Sequence, residues 1–206
     1  MIRIFISSVQ KEFVRERMAI RDFLNGDPLL RRFYEVFLFE DIPAKDRSPD
    51  GIYLDEVGHC NIYLGIFGDQ YGTTGQDSLS PTHREFREAT KQEKYRIIFV
   101  KGADDSKRNA SMQALIKEAS NVLNRKRFAT KSELIAGIYA SLVEYLSEQE
   151  LIRVGPFDAS YCRNATLDDI DDEKLRLFLK RARKARGFPL PEDAEPLEVL
   201  THLNLL

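Results

Sequence analysis

The chain has 206 residues, of which 43% are hydrophobic and 31% charged, and its formal net charge is −2 with a pI near 6.0. This length is sufficient for one full hydrophobic core and a smaller second unit, but not for two large domains. The near-neutral charge excludes a global positive field for nucleic acid, so any such contact would need a local basic patch.

Cysteine usage and hydropathy indicate the compartment. Cys60 and Cys162 have neither CxxC spacing nor a nearby cluster of histidine and cysteine, which argues against a disulfide framework or a zinc site and fits a reducing cytosol. No apolar run approaches the roughly 18 uncharged residues of a membrane helix, and the apolar run at the amino terminus is too short for a secretory signal. We therefore expect a cytoplasmic protein with no membrane segment.

The first hundred residues alternate short apolar runs with polar or amphipathic segments. The apolar runs predict buried strands at residues 2–6, 34–39, 62–67 and 96–100. Serines precede the intervening helices, and Ser8, Ser48 and Ser80 are the predicted N-caps, the last two with proline at the first helical position. Alternation of strand and helix predicts a parallel sheet covered by helices on both sides.

The second hundred residues continue this pattern and then change composition. A helix is predicted at 111–123, a strand at 127–128, and a long amphipathic helix capped by Ser132 that closes the domain at about residue 152. We thus predict a three-layer α-β-α domain over residues 1–152, with a mainly parallel sheet of four to five strands. Residues 153–206 are predicted to be a linker and a small helical appendage, with helices at 166–186 and 197–206. Because this segment ends abruptly on apolar residues, we expect it to be the start of a truncated C-terminal region.

A glycine-rich loop after the third strand is the strongest functional signal. In an open α/β sheet, ligands lie outside the carboxyl ends of the strands. Gly68 and Gly72 would let a ligand approach the backbone closely. Asp69 could bind a ribose hydroxyl and Tyr71 could stack on a base, or the two could form an Asx-turn with an aromatic lid. The loop lacks both the GK[ST] of a P-loop and the GxGxxG fingerprint, so we do not expect direct ATP hydrolysis.

Polar residues at the strand and helix ends would complete this site. Ser7 and Ser8 could hold a phosphate or ribose through hydroxyl and backbone N–H groups, or they could simply cap a helix. Thr82 and His83 open the third helix; His83 could share a proton with a substrate, or it could be an exposed first-turn histidine. The three histidines are scattered and no carboxylate pair has ligand spacing, so no metal site is expected.

Four sequence blocks occur in a recognisable order: FISSV at 5–9, ER at 16–17, GDQYG at 68–72 and THREF at 82–86. Together they resemble a domain of unknown function that begins with FISSxxxD and is grouped with TIR-like domains. The resemblance covers about residues 1–100 and implies a flavodoxin/TIR-like fold. Val9-Gln10-Lys11-Glu12 departs from the acidic or Phe-Glu-Asp pattern that often follows the serines in that family, which weakens any role tied to an acid there.

The resemblance also implies a chemistry for Glu85. TIR-like enzymes and the similarly folded nucleoside deoxyribosyltransferases cleave N-glycosidic bonds with a glutamate near the start of a helix on the ligand side of the sheet, and Glu85 matches that position. A fixed carboxylate there could stabilise an oxocarbenium-like ribose or hold the incoming hydroxyl. Alternatively, Glu85 could be a solvated first-turn carboxylate favoured by the helix dipole. NAD or another nucleotide is the implied ligand or substrate, and no cofactor is otherwise indicated.

The last part of the chain resembles the connector of RecG-like or Schlafen-like transcriptional regulators, through Asp158, residues 165–167, Asp169 and residues 200–206. Three functions stay open. The first is a TIR-like regulatory or signalling module of a transcriptional regulator or defence protein, which binds a nucleotide-type ligand or a partner domain. The second is an NAD or nucleoside hydrolase or transferase that uses Glu85. The third is a DNA-associated adaptor that uses the basic helix around residues 180–186. A homo-oligomer or a C-terminal regulatory domain is a further expected partner.

Overall fold

A computed structural model describes residues 1–38, 49–75, 77–153 and 165–205, and of residues 49–52 it describes only the backbone. The chain divides into two compact units, Met1–Ile152 and Arg153–Leu206. Several sequence predictions fall outside the described residues: the strand end at Phe39, the cap at Ser48, and the residues Asp158 and Cys162. Within the described residues, no helix combines the length and the apolar character needed to cross a membrane.

The first unit is built on a five-stranded parallel sheet with the strand order β2-β1-β3-β4-β5. The strands are β1 (Ile2–Ser8), β2 (Tyr34–Phe37), β3 (Ile62–Phe67), β4 (Tyr95–Lys101) and β5 (Lys126–Phe128). The predicted parallel α/β fold of the flavodoxin/TIR type is confirmed. The first strand runs two residues further than predicted, which places both serines of the FISS block inside it.

Five helices cover the two faces of this sheet: α1 (Gln10–Gly26), α2 (Pro49–His59), α3 (Pro81–Lys91), α4 (Ala110–Val122) and α5 (Lys131–Glu148). Successive side chains of a strand point to opposite faces, so alternate residues of β1 enter different cores. Ile4 and Ile6 pack in one core with residues of α1 and α5. Phe5 packs in the other core with residues of α2, α3 and α4. The three predicted layers are therefore present.

The start of α1 differs from the prediction. Its N-cap is Val9, with no side-chain hydrogen bond, so Ser8 ends the strand and does not cap the helix. Val14 is 49% exposed, whereas Arg17 is buried. Positions 13, 17, 20 and 24 follow the i, i+4, i+7, i+11 spacing of a single helix face, and this spacing places Arg17 against the sheet.

The cap of α5 also differs. Thr130 is the N-cap, and its side chain accepts a hydrogen bond from the Glu133 backbone N–H at 3.2 Å. Ser132, the predicted cap, lies within the first turn. Both residues have the side chain of a good cap, and the chain uses the one that lies nearer to the end of β5.

The described residues of the second unit form two helices and a 3-10 turn. A 3-10 turn (Leu167–Asp169) precedes α6 (Asp172–Arg186), and α7 (Pro196–His202) follows. The predicted single helix over 166–186 is thus interrupted, because the Asp171 side chain accepts from the Lys174 backbone N–H and starts a new helix there. The predicted last helix ends at His202 instead of at residue 206.

Candidate functional site

A cleft of about 470 Å³ opens at the carboxyl edge of the sheet. Its lining comes from the end of β1, the start of α1, Tyr53 of α2, the loop after β3 and the start of α3. β1 and β3 are neighbours in register, with Ser7 beside Gly65 and Ser8 beside Ile66, so their carboxyl ends reach the same edge. Parallel strand ends and the loops that follow them therefore build this cleft.

The start of α3 sets the direction in which its side chains face. Ser80 is the N-cap and its Oγ accepts from the His83 backbone N–H at 3.3 Å, while Pro81 takes the first helical position. This is the start predicted from the Ser-Pro pair. It leaves Thr82 and Glu85 on faces of the helix that line the cleft.

Glu85 is a buried carboxylate at the cleft. Its side chain is 4% exposed, and the Ser7 hydroxyl donates a hydrogen bond to Oε2 at 2.5 Å. The alternative of a solvated first-turn glutamate is wrong, because the first turn of α3 contains no acidic residue and Glu85 lies one turn further along. A buried carboxylate is costly unless hydrogen bonds or charges compensate it, and the Ser7 hydroxyl is one such compensation.

Tyr63 extends this pair beneath the cleft. Its hydroxyl lies 3.5 Å from the Thr82 carbonyl oxygen and also hydrogen-bonds with Ser7. Burial raises the pKa of the Tyr63 phenol well above its usual value, and the negative charge of Glu85 raises it further, while the bond with Ser7 lowers it in part. Tyr63 therefore stays protonated and supports Ser7, which in turn fixes Glu85.

A buried cation lines the same cleft. Arg17 is 2% exposed, and its Nη1 donates to the Ile6 carbonyl at 2.8 Å and to Ser8 Oγ at 3.3 Å. Both Arg17 and Ser8 belong to the cleft lining, as does Glu85. The cleft therefore combines a carboxylate, a guanidinium and a hydroxyl in its lining.

Glu12 holds the glycine-rich loop from the side of α1. Its carboxylate accepts hydrogen bonds from the backbone N–H groups of Asp69, at 2.9 Å, and Gln70, at 3.0 Å. Gly68 lies directly against this carboxylate, and a Cβ at that position would overlap it. An acid at this position therefore has a role, contrary to the expectation drawn from Val9-Gln10-Lys11-Glu12. The FISSxxxD spacing is the signal that points to it, since Glu12 is the fourth residue after Ser8.

Arg108 holds the same loop from the other side, and sequence reasoning missed it. Its buried guanidinium donates to the Gly68 carbonyl and to Asp69 Oδ1, the latter at 3.0 Å. It also pairs with Asp105 at 2.8 Å. Although burial raises the pKa of Asp105, hydrogen bonds from Arg127 and Arg108 lower it below its usual value. Arg108 thus pairs with an ionised Asp105 and is held between this carboxylate and the loop.

The middle of the loop presents Tyr71 to the cleft. Tyr71 is 5% exposed, and its hydroxyl lies 2.7 Å from His83 Nδ1. Gly72 follows with a φ of +86°, a left-handed conformation that a side chain would disfavour. The alternative of an exposed His83 is wrong, since His83 is buried and its Nε2 lies 3.0 Å from a carboxylate oxygen of Glu118.

The predicted site residues fall into two groups. Those that line the cleft are Ser8, Tyr71, Gly72, Thr82 and Glu85. Those held outside its lining are Ser7, Gly68, Asp69 and His83, which contact Glu85, Glu12, Arg108 or Tyr71. Lining residues that the sequence analysis does not assign to the site include Gln10, Lys11, Arg17 and Tyr53, although Arg17 belongs to the ER block. Among the described residues, no group of three or more histidine, cysteine or acidic side chains is arranged to hold a metal ion.

The model of the domain of unknown function DUF4062 matches residues 3–147. The chain belongs to this family. The predicted membership of a FISS-type domain of unknown function is confirmed, and the DUF4062 match extends well beyond the first hundred residues. No curated protein matches the chain. The predicted RecG-like or Schlafen-like connector is not supported by these comparisons and stays a prediction.

Three solved structures are similar to this DUF4062 chain. The CMP N-glycosidase BcmB of Clostridium botulinum is 18% identical with a TM-score of 0.40, and the match covers 68% of this chain and 98% of the BcmB chain. The TIR domains of the activated Roq1 resistosome, which recognises the pathogen effector XopQ, are 11% identical with a TM-score of 0.41. The match covers 88% of this chain and 99% of the Roq1 chain. Flavodoxin 1 of Bacillus cereus is 16% identical with a TM-score of 0.36, and the match covers 70% of this chain and 97% of the flavodoxin.

Proposed function

We propose that the cleft binds a nucleotide-type ligand and that the first unit is a TIR-like regulatory or signalling module controlled by that ligand. The observation that carries this proposal is the buried Glu85 carboxylate, held by Ser7 where the cleft meets the carboxyl ends of β1 and β3. A desolvated charge in a concave site at strand ends is a feature of ligand-binding sites.

The composition of the cleft favours a ligand with hydroxyl, anionic and aromatic groups. Glu85 accepts hydrogen bonds, which suits the hydroxyls of a ribose. Arg17 and Lys11 contribute positive charge to the same lining, which suits a phosphate. Tyr71 and Tyr53 supply aromatic surface, which suits a base. A volume of about 470 Å³ lies within the usual range for small-ligand pockets.

A second candidate is hydrolysis of the N-glycosidic bond of NAD or a nucleoside. It is favoured by the fixed geometry of Glu85, since the bond from Ser7 holds one carboxylate oxygen in place. In this reaction the C1′–N bond breaks and its electron pair leaves with the base, a water oxygen bonds to C1′, and Glu85 accepts a proton from that water. A nucleoside base takes up this proton as it leaves, whereas nicotinamide leaves NAD as a neutral molecule and the proton passes from Glu85 to solvent. A fixed carboxylate also stabilises the positive charge that develops on the ribose.

Binding and turnover can be separated with one pair of variants. Calorimetry with NAD, AMP and cytidine 5′-monophosphate measures binding, and chromatography of the same mixtures measures release of nicotinamide or free base. We expect binding to weaken at least tenfold in Glu85→Gln, because the amide replaces a charged acceptor. Glu88→Gln is the matched control, since Glu88 lies on the same helix and hydrogen-bonds with Gln92.

Three outcomes are distinct. Binding without release supports the regulatory module, and release that disappears in Glu85→Gln supports the hydrolase. Binding that is equal in Glu85→Gln and Glu88→Gln, or no binding by the wild type, contradicts both proposals.

The wider role in a transcriptional regulator or defence protein rests on sequence resemblance and stays a prediction. The DNA-associated adaptor rests on the basic run of residues 180–186 and also stays a prediction. Arg183, Lys184 and Arg186 of its basic helix lie in the last turn of α6, where they complement the helix dipole without any need for DNA. A salt-dependent shift of labelled duplex DNA that is lost in the Arg181→Ala/Arg183→Ala double variant would favour the adaptor.

A further inference from the structure

A chain of polar side chains leads from the cleft to the surface between α3 and α4. The Tyr71 hydroxyl lies 2.7 Å from His83 Nδ1, and His83 Nε2 lies 3.0 Å from Glu118 Oε2. Arg87 then donates to both carboxylate oxygens of Glu118, from Nε at 3.0 Å and from Nη2 at 2.9 Å. We refer to His83, Glu118 and Arg87 as the Tyr71 anchor.

The hydrogen-bond directions along this chain follow from the ion pair at its outer end. The bidentate bond from Arg87 lowers the pKa of the Glu118 carboxyl, and the bond with His83 lowers it further, against an opposing effect of burial. An ionised carboxylate only accepts, so His83 Nε2 must be the donor to Glu118. The Tyr71 hydroxyl pairs with the other ring nitrogen, Nδ1.

The helix geometry determines which part of Tyr71 the ligand would meet. His83 and Glu85 are two residues apart, so they project about 200° apart around α3. Glu85 belongs to the cleft lining, whereas His83 does not. The Tyr71 hydroxyl is therefore bonded on the side of α3 away from Glu85, and the ring is the part of Tyr71 that lines the cleft. Its edge-on contact with the His83 imidazole, at 5.9 Å between centroids, is consistent with a single ring position.

We propose that His83, Glu118 and Arg87 are positioning residues that hold the Tyr71 ring as a fixed aromatic wall, and that this wall selects ligands with a planar aromatic group. None of the three anchor residues lines the cleft, so each acts on the ligand through Tyr71. The selectivity part rests on the proposed ligand-binding function, whereas the fixed position of the ring does not.

The ring position can be tested without any ligand. In protein labelled with ring-¹³C tyrosine, the Tyr71 signals are assigned from their loss in Tyr71→Phe. Glu118→Ala removes the anchor at a partly exposed residue, so folding should be preserved. We expect the Tyr71 ring signals to shift and its ring flips to become at least tenfold faster. Glu118→Gln, which keeps an oxygen acceptor for His83, should restore most of the wild-type behaviour, and Glu88→Ala on α3 should change nothing. An unchanged Tyr71 ring in Glu118→Ala would overturn the proposal.

Ligand selectivity gives a readout that general loosening of the structure would not. Ribose 5-phosphate has a hydroxyl at C1 where AMP has adenine, so calorimetry with both separates the contribution of the aromatic wall from that of the rest of the cleft. In Glu118→Ala we expect AMP affinity to fall about five- to tenfold, because a mobile Tyr71 ring loses part of the stabilisation from base stacking. The affinity for ribose 5-phosphate should stay unchanged. An equal loss for both ligands would overturn the selectivity. If the wild type binds neither probe, the proposed function and the selectivity fail together, while the ring measurement still decides whether the anchor fixes Tyr71.

Discussion

At the scale of single residues, the site depends on how a buried charge is supported. Glu85 is almost fully desolvated, yet its carboxylate accepts a hydrogen bond from Ser7, which hydrogen-bonds in turn with the neutral Tyr63. Ser7 is therefore more than the end of a strand. It links a buried phenol to a buried carboxylate, and it fixes the oxygen through which Glu85 is held.

Removal of the Ser7 hydroxyl tests this support. In Ser7→Ala we expect the free energy of unfolding to fall by about 1–2 kcal/mol, because a buried charged acceptor loses one of its donors. Urea unfolding followed by circular dichroism measures the change. Ser111→Ala, at an exposed serine of α4, is the control and should stay within about 0.5 kcal/mol of the wild type. Equal stabilities of the two variants would show that the Ser7 bond contributes nothing.

At the scale of elements, the loop after β3 is held by its neighbours on both sides. Glu12 reaches it from α1 and accepts from two of its backbone N–H groups, and Arg108 reaches it from the segment before α4. A loop with fixed backbone groups at its start presents Tyr71 and Gly72 to the cleft in one arrangement. Such preorganisation reduces the entropy that a ligand must overcome on binding.

A double-mutant cycle between Glu12 and Gly68 measures this contact. Glu12→Ala removes the two hydrogen bonds to the loop, and Gly68→Ala displaces the same carboxylate by overlap with the new methyl group. We expect each variant to lose about 1–2 kcal/mol in urea unfolding, and the double variant to lose at least about 1 kcal/mol less than their sum, because both remove one interaction.

The matched control for that cycle pairs Glu12→Ala with Gly137→Ala. A Cβ at Gly137 would lie 2.6 Å from Phe99 Cε1, so this variant is also expected to destabilise, but through packing of α5 on β4. Glu12 and Gly137 share no such contact, and their effects should add. If the losses of stability in Glu12→Ala and Gly68→Ala were also additive, this would contradict the proposed contact.

The elements that sequence predicts well are those with local signals. β3 is predicted at its observed bounds because a continuous apolar run ends at a glycine, and α3 begins at Ser80-Pro81 because both cap signals are adjacent in the chain. Glu12 and Arg108 were missed because their partners in the loop are distant in sequence. Glu12 bonds a residue 57 positions away, and Arg108 one that is 40 positions away.

At the scale of the whole first unit, the position of the cleft follows from the strand order. β1 is flanked by β2 on one side and β3 on the other, so the chain leaves β1 in one direction and later returns on the opposite side. Ligand sites of open α/β sheets lie at such a change of direction, outside the carboxyl ends of the strands. The approximate place of the site is therefore predictable from the sequence, whereas the bonds that join Ser7 to Glu85 and Tyr71 to His83 depend on packing across the sheet.

The division into two units predicts that residues 1–152 fold without the remainder. The family match ends at residue 147, within α5, and that helix buries Leu134, Ile138, Leu142 and Leu146 against the sheet. These side chains contribute about 1.5–3 kcal/mol each, and their total is comparable to the whole stability of a typical domain. A 1–152 fragment should therefore unfold cooperatively, with a Tm within a few degrees of that of the full chain, in thermal unfolding followed by circular dichroism. A 1–130 fragment, which lacks α5, should show no cooperative transition. Loss of the transition in the 1–152 fragment would mean that the second unit contributes to the core of the first.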